Sequence, residues 1–158
     1  MTTHATVPAE LTAAITIDAP PAQVWALVAD LERMSAWSPQ VVKTVALGKP
    51  VRLGTRFVNL NRQGGKRWPT TAKVVRYEPE REIAFRITEN RTVWSFQLEV
   101  ADGGTLLTHR RETPEGISAL STVLTRYLLG GKEPFERELL TGMEQTLARI
   151  KADTETKG

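Results

Sequence analysis

The chain has no cysteine and only two histidines in 158 residues. Disulfides, thiolate metal sites and cysteine nucleophiles are therefore excluded. A zinc site of nitrogen and sulfur ligands could draw only on His4 and His109, so no metal and no cofactor is expected. No run of 18 apolar residues occurs, and the N-terminus MTTHATVPAEL has no basic region followed by an apolar one. A cytoplasmic location without signal peptide or membrane span is the expectation. There is no phosphate-binding loop, no GxSxG elbow and no paired catalytic carboxylates. Asp18 and Asp30 read as helix caps, and Glu78, Glu80 and Glu82 sit around a turn. Aromatic residues make up 6% of the chain, so each is worth placing individually.

Apolar residues make up 41% and charged residues 25%, which is ordinary for a globular protein with one core. One domain is expected over residues 11–152, with residues 1–10 and 153–158 as flexible tails. The net charge is +3, unevenly spread. Lys43 to Arg91 holds twelve Lys/Arg against four Asp/Glu, a balance of +8, while the remainder holds nine basic and fourteen acidic residues, a balance of −5. Solvated outer strand faces account for such a stretch. Its sharper reading is a basic sheet surface making weak contact with anionic surfaces or an acidic partner. Nucleic acid is not expected, because no recognition helix or RNP-type aromatic pattern accompanies the charge.

Periodicity divides the chain. Leu11, Ala13, Ile15 and Ile17 alternate as a strand. Pro20 and Pro21 end it and suit the first turn of a helix, where a missing N–H costs little. Val24, Trp25, Leu27 and Val28 supply that helix's apolar face. Asp30 is expected to cap a second short helix, with Glu32 near its positive end, and Pro39 stops it. Strands are then expected at Val41–Leu47, Thr55–Asn61, Thr70–Tyr77, Ile83–Thr88, Thr92–Val100 and Thr105–Glu112. The last two are joined by a hairpin at Asp102-Gly103-Gly104. Trp94, Phe96, Leu98 and Val100 should face the core. From Ile117 to Leu128 the period becomes helical. From about Pro134 to Lys151, Phe135, Leu139, Met143, Leu147 and Ile150 form one apolar helical stripe.

Three stretches, IDAPPAQVWALVAD with WSP, VVRYEPEREIAF, and DGGTLLTHRRE, together resemble the START-like (SRPBCC) superfamily. That superfamily includes polyketide cyclase/dehydrase, lipid-transport and Bet v 1-like proteins. The resemblance runs from about Leu11 to Lys151. It implies an α+β helix-grip fold: a curved antiparallel sheet wrapped around a long C-terminal helix, with two short helices after the first strand. It also implies an apolar pocket between sheet and helix, with a volume of ~300–1,000 Å³ if typical of small-molecule sites.

The wall candidates are Phe57, Phe85, Trp94, Phe96, Phe135, Leu139 and Met143, each of which could equally be plain core. Asn59 shares a face with Phe57. Counting in twos from Leu107 puts His109 and Arg111 on one strand face. A buried Arg111 would need a carboxylate or anionic head group, and an outward charge ladder is the expected placement. His109 is the weak candidate for proton transfer. Trp25 and Trp37 are expected to pack at the sheet edge, and Trp68 to lie near the pocket mouth. Tyr77 and Tyr127 are read as boundary aromatics or as donors to a ligand. The leading function is binding or transport of a hydrophobic small molecule: a lipid, polyketide or aromatic metabolite. The rivals are a cyclase, aromatase or dehydratase acting on a polyketide-like substrate, and a partner-binding module that uses the basic surface. The protein is expected as monomer or homodimer.

Overall fold

The computed structural model describes residues 10–113 and 132–157. The chain enters as strand β1 (Glu10–Ile17), then helix α1 (Pro21–Val28), a 3-10 turn (Leu31–Arg33) and helix α2 (Met34–Trp37). Six strands follow: β2 (Val41–Ala46), β3 (Arg56–Gln63), β4 (Lys66–Glu78), β5 (Glu82–Ile87), β6 (Val93–Ala101) and β7 (Gly104–Glu112). The last described element is the long helix α3 (Lys132–Lys157). The seven strands form one antiparallel sheet in the order β1-β7-β6-β5-β4-β3-β2. This is the helix-grip architecture expected above. Register shifts between Val41 and Lys43, and between Val74 and Arg76, are bulges that bend the sheet.

Local chemistry explains the punctuation. Pro20 is extended with φ −70° and ψ 157°, and Pro21 opens α1. In the β6–β7 hairpin Ala101 pairs with Gly104, leaving Asp102 (φ 45°) and Gly103 (φ 81°) as a two-residue loop. Positive φ at both positions is the I′ geometry, whose twist matches the strands it joins. Gly142 lies where α3 meets Gln40: a Cβ there would come within 2.5 Å of the Gln40 amide. That Gln40 amide also donates to the Glu138 carbonyl at 3.2 Å, so α3 meets the turn before β2.

The C-terminal half of α3 is firmly anchored. Leu147 and Ile150 are buried with Ile17, Val24, Leu98 and Leu107. Full burial of each such side chain stabilises the fold by ~1.5–3 kcal/mol. Around this core runs a ring of hydrogen bonds. Trp37 Nε1 donates to Asp153 at 2.8 Å, Arg149 to the Trp37 carbonyl at 3.1 Å, Lys151 to the Thr16 carbonyl at 2.7 Å, and the Asp18 N–H to Glu155 at 2.8 Å.

Several expectations need correction. The segment 153–157 is the last part of α3, not a tail: Thr154 is fully buried and its carbonyl accepts from Gln23. Glu10, assigned to the other tail, already pairs with Glu112 in β1. The described part of helix α3, Lys132–Lys157, includes Pro134. Asp30 caps nothing with its side chain and instead meets Arg33 at 3.0 Å. Glu32 receives the Ala46 N–H at 3.0 Å and Lys49 at 2.6 Å, so it ties the turn to β2. Asp18 gives α1 no cap, since Pro20 holds that position without a side-chain bond. Val100 is 77% exposed because β5 pairs with β6 only as far as Gln97, and Val100 projects beyond it. The helix expected from Ile117 to Leu128, with Tyr127, lies outside the described residues, as do residues 1–9.

Candidate functional site

Strand alternation decides which polar groups turn inward. On β7, Leu107, His109 and Arg111 alternate onto the concave face and are 0%, 4% and 4% exposed. Across β6, Trp94 pairs with Arg111 and Phe96 with His109. On β3, Phe57, Asn59 and Asn61 share that face and pair with Ala72, Thr70 and Trp68 of β4. Ile87 and Phe85 of β5 complete the floor, Leu31 and Met34 close one side, and Leu139 of α3 lies above. Together these surround a cavity of about 130 Å³.

Its size and character differ from the expected roomy, apolar pocket. The rings of Trp68, Trp94, Phe57 and Phe85 occupy much of the space between the layers, Phe57 meeting Phe85 edge to face at 5.1 Å. Eight of the seventeen described lining residues are polar, among them Ser38, Gln40, Asn59, Asn61, Thr70 and Asn90. Most of these are held by neighbours. The Thr44 hydroxyl donates to Asn59 Oδ1 at 2.6 Å. The Asn61 amide donates to the Trp68 carbonyl at 3.2 Å and the Thr70 hydroxyl at 2.9 Å. Trp94 Nε1 donates to Thr92 at 3.2 Å, and Thr92 donates to Asn90 at 2.7 Å.

His109 and Arg111 are the exceptions. His109 stacks face to face on Phe96, with centroids 4.1 Å apart and planes 4° apart, and is tilted against Trp94 at 5.6 Å. Its Nδ1 lies 3.0 Å from the Ser95 carbonyl. A carbonyl oxygen only accepts, so the proton is on Nδ1 and Nε2 carries the lone pair. Burial pushes the His109 pKa down to about 4, against a smaller upward pull from the Ser95 bond. The ring is therefore neutral at neutral pH. The Arg111 guanidinium lies 5.8 Å from the Trp94 ring centroid. Burial lowers its pKa, and the charge of Glu136 on α3 opposes that. Its Nη1 is buried without a hydrogen-bond partner, and so is Oε2 of Glu136. The outward charge ladder expected for Arg111 is thus overturned: the β7 register turns Arg110 out, toward Glu10 at 2.9 Å, and Arg111 in.

Of the ten sequence candidates, seven line the cavity: Phe57, Asn59, Phe85, Trp94, His109, Arg111 and Leu139. Phe96 and Met143 do not. Phe96 is fully buried beneath His109, and Met143 is 2% exposed within the packed layer. The Phe135 side chain lies outside the described residues. Trp68, expected near the mouth, is among the lining residues, whereas Tyr77 packs on Trp25 at 5.4 Å. Asn61 was overlooked, although its spacing from Phe57 and Asn59 places it on their face. Thr70 and Asn90 gave no such signal, because their positions follow from cross-strand register and a turn. Elsewhere, Arg56, Lys73 and Arg86 fall opposite one another on neighbouring strands of the outer face. No described helix is long and apolar enough to cross a membrane.

Residues 8–155 match the model of the family described as polyketide cyclase/dehydrase and lipid transport. No curated protein sequence matches the chain. Among solved structures, a polyketide-cyclase-like protein of Corynebacterium glutamicum is 26% identical, with a TM-score of 0.62 over 94% of this chain and 92% of that one. A di-domain ARO/CYC protein of the steffimycin biosynthetic pathway superposes with a TM-score of 0.76 at 14% identity. The alignment covers 96% of this chain and 52% of that one. A major latex-like protein of Panax ginseng gives a TM-score of 0.69 at 12% identity over 94% and 98% of the two chains. The last two likenesses are of fold.

Proposed function

Because the chain belongs to the polyketide cyclase/dehydrase and lipid-transport family, we propose that it binds a hydrophobic small molecule in the cavity between β3–β7 and α3, as a carrier and not as a catalyst. The ligand is a lipid fragment, a polyketide or an aromatic metabolite. One observation carries this reading. Four aromatic rings, Phe57, Trp68, Phe85 and Trp94, line the cavity, while Arg111 Nη1 has no hydrogen-bond partner and the His109 Nε2 lone pair accepts, so that both can orient a guest. Burial of apolar ligand area supplies affinity, and a few convergent polar groups supply orientation. A general acid or base works best with a pKa near the working pH. At about 4, His109 is a poor proton acceptor, and no second titratable residue lines the cavity among the described residues except Arg111.

The second reading is a cyclase, aromatase or dehydratase. It is favoured by the pairing of a neutral histidine with an arginine two residues away on the same face. There Arg111 would polarise a carbonyl and His109 would accept a proton from the adjacent carbon. Native mass spectrometry of gently purified protein separates the two, by weighing a retained ligand and following its mass over hours. The carrier reading expects an unchanged mass and an unchanged chromatographic retention of the released ligand, since ring closure without loss of water alters only the second. Loss of water, abolished in His109→Ala, would establish the enzyme, with turnover falling by about 10²–10⁴-fold in that variant.

A further inference from the structure

The polar groups of the cavity are specific enough to constrain the guest, given the reading of the cavity as a ligand site. Arg111 is 4% exposed, and its Nη1 has no hydrogen-bond acceptor. A buried cationic donor without a partner is costly, and an oxygen placed in the cavity removes that cost. Glu136 influences Arg111 electrostatically without hydrogen-bonding to its Nη1. Burial outweighs that influence, so the guanidinium still lacks a full partner, while a second carboxylate there would stand beside the unpartnered Glu136 carboxylate and be repelled. The missing partner is therefore a neutral acceptor, a carbonyl oxygen. His109 asks for the opposite. Its Nδ1–H is engaged by Ser95, so Nε2 accepts a proton donor from the guest. The two residues are two apart on one strand, so their Cα atoms are separated by about 7 Å. Trp94 lies beside both, 5.6 Å from the His109 ring and 5.8 Å from the guanidinium carbon. The volume of about 130 Å³ is close to the ~150 Å³ of an engineered cavity that takes up benzene, which matches a guest of single-ring size.

We infer that the cavity selects a neutral, single-ring phenol with a carbonyl substituent across the ring, whose carbonyl oxygen accepts from Arg111 Nη1 while its hydroxyl donates to His109 Nε2. The ring lies against Trp94. A single ring matches the volume, and the buried Glu136 carboxylate disfavours an aryl carboxylate.

The test removes groups from the ligand, so it needs no variant to fold. The full chain is titrated calorimetrically with 4-hydroxyacetophenone, acetophenone, phenol, 4-hydroxybenzoate and a hydroxynaphthyl ketone, alongside an apolar fluorescent probe. The expected result is that 4-hydroxyacetophenone binds at least about tenfold more tightly than each of the other four ring compounds, one lost hydrogen bond to a buried group being worth about that factor. In His109→Phe the advantage over acetophenone should vanish while the advantage over phenol persists. Equal affinity for 4-hydroxyacetophenone and acetophenone, or a preference for the carboxylate or the two-ring ketone, overturns the inference. If the apolar probe binds and none of the single-ring compounds does, the inference fails but the ligand cavity stands. If nothing binds, both fail.

Discussion

The two halves of the concave face are built from the same strands yet do opposite things. Toward the end of β7 that carries Leu107, side chains from β1, α1, β6 and the C-terminal part of α3 close into a dry core. Toward the end that carries Arg111, the same alternation delivers Asn59, Asn61, Thr70, His109 and Arg111 to the interior, and a cavity remains. The dry half is sealed by hydrogen bonds from helix to sheet, such as Lys151 to the Thr16 carbonyl, whereas the cavity half contains buried atoms with no partner at all. A packed core gains nothing from an unpaired guanidinium nitrogen. Such atoms make physical sense where another molecule completes them. Stability is concentrated in one half and recognition in the other.

The largest effect should come from weakening the dry half. Leu147→Ala removes a fully buried side chain among rigid neighbours and should cost about 2–5 kcal/mol in denaturant unfolding. Leu139→Ala, opening onto an existing cavity, should cost distinctly less. Equal losses would erase the distinction between the halves.

The second effect is a pH dependence that belongs to the cavity half. His109 is pushed down to about 4 in the folded protein from 6.5 when unfolded, so the unfolded chain takes up the proton first as pH falls. Its contribution is complete above about 6.5 and is lost progressively between there and about 4, amounting to about 3 kcal/mol. Denaturant midpoints measured across that window should show the decline, and His109→Phe should flatten it. An unaltered slope in the variant would mean that the ring is not buried in its neutral form.

The smallest and most local contrast uses tryptophan as a filler. Met143 lies outside the cavity wall within the packed layer, so Met143→Trp should overpack it and cost about 1–3 kcal/mol. Leu139→Trp should instead occupy the cavity, abolishing uptake of an apolar fluorescent probe with a small change in stability. Probe uptake that survives Leu139→Trp would place the binding space elsewhere.

These contrasts also show what was legible in the sequence. The fold was readable because its markers are local: Pro20-Pro21 before a helix, Asp102-Gly103 between alternating strands, and the Leu139–Ile150 stripe. The shared face of Phe57 with Asn59, and of His109 with Arg111, followed from the two-residue period. What could not be read depends on register and on packing between layers. Thr70 joins the cavity because it pairs with Asn59, and Phe96 leaves it because His109 stacks over it. Charge made Arg111 look like a surface residue. Its inward placement is fixed by the hairpin register, which gives Arg110 the outer face and its ion pair with Glu10. The anchoring of 153–157 was invisible because that segment reads as polar, and its bonds to Trp37, Asp18 and Gln23 come from distant parts of the chain.

The most direct test of the division is a nuclear magnetic resonance titration of the full chain with 4-hydroxyacetophenone, following side-chain signals from both halves. The account predicts that the Trp94 indole N–H, the Asn59 amide and the His109 ring shift together and saturate, while the Leu107, Leu147 and Ile150 methyl groups stay still. Saturable shifts centred on those methyl groups, or spread over the outer face of the sheet with the Trp94 and His109 signals unmoved, would contradict it.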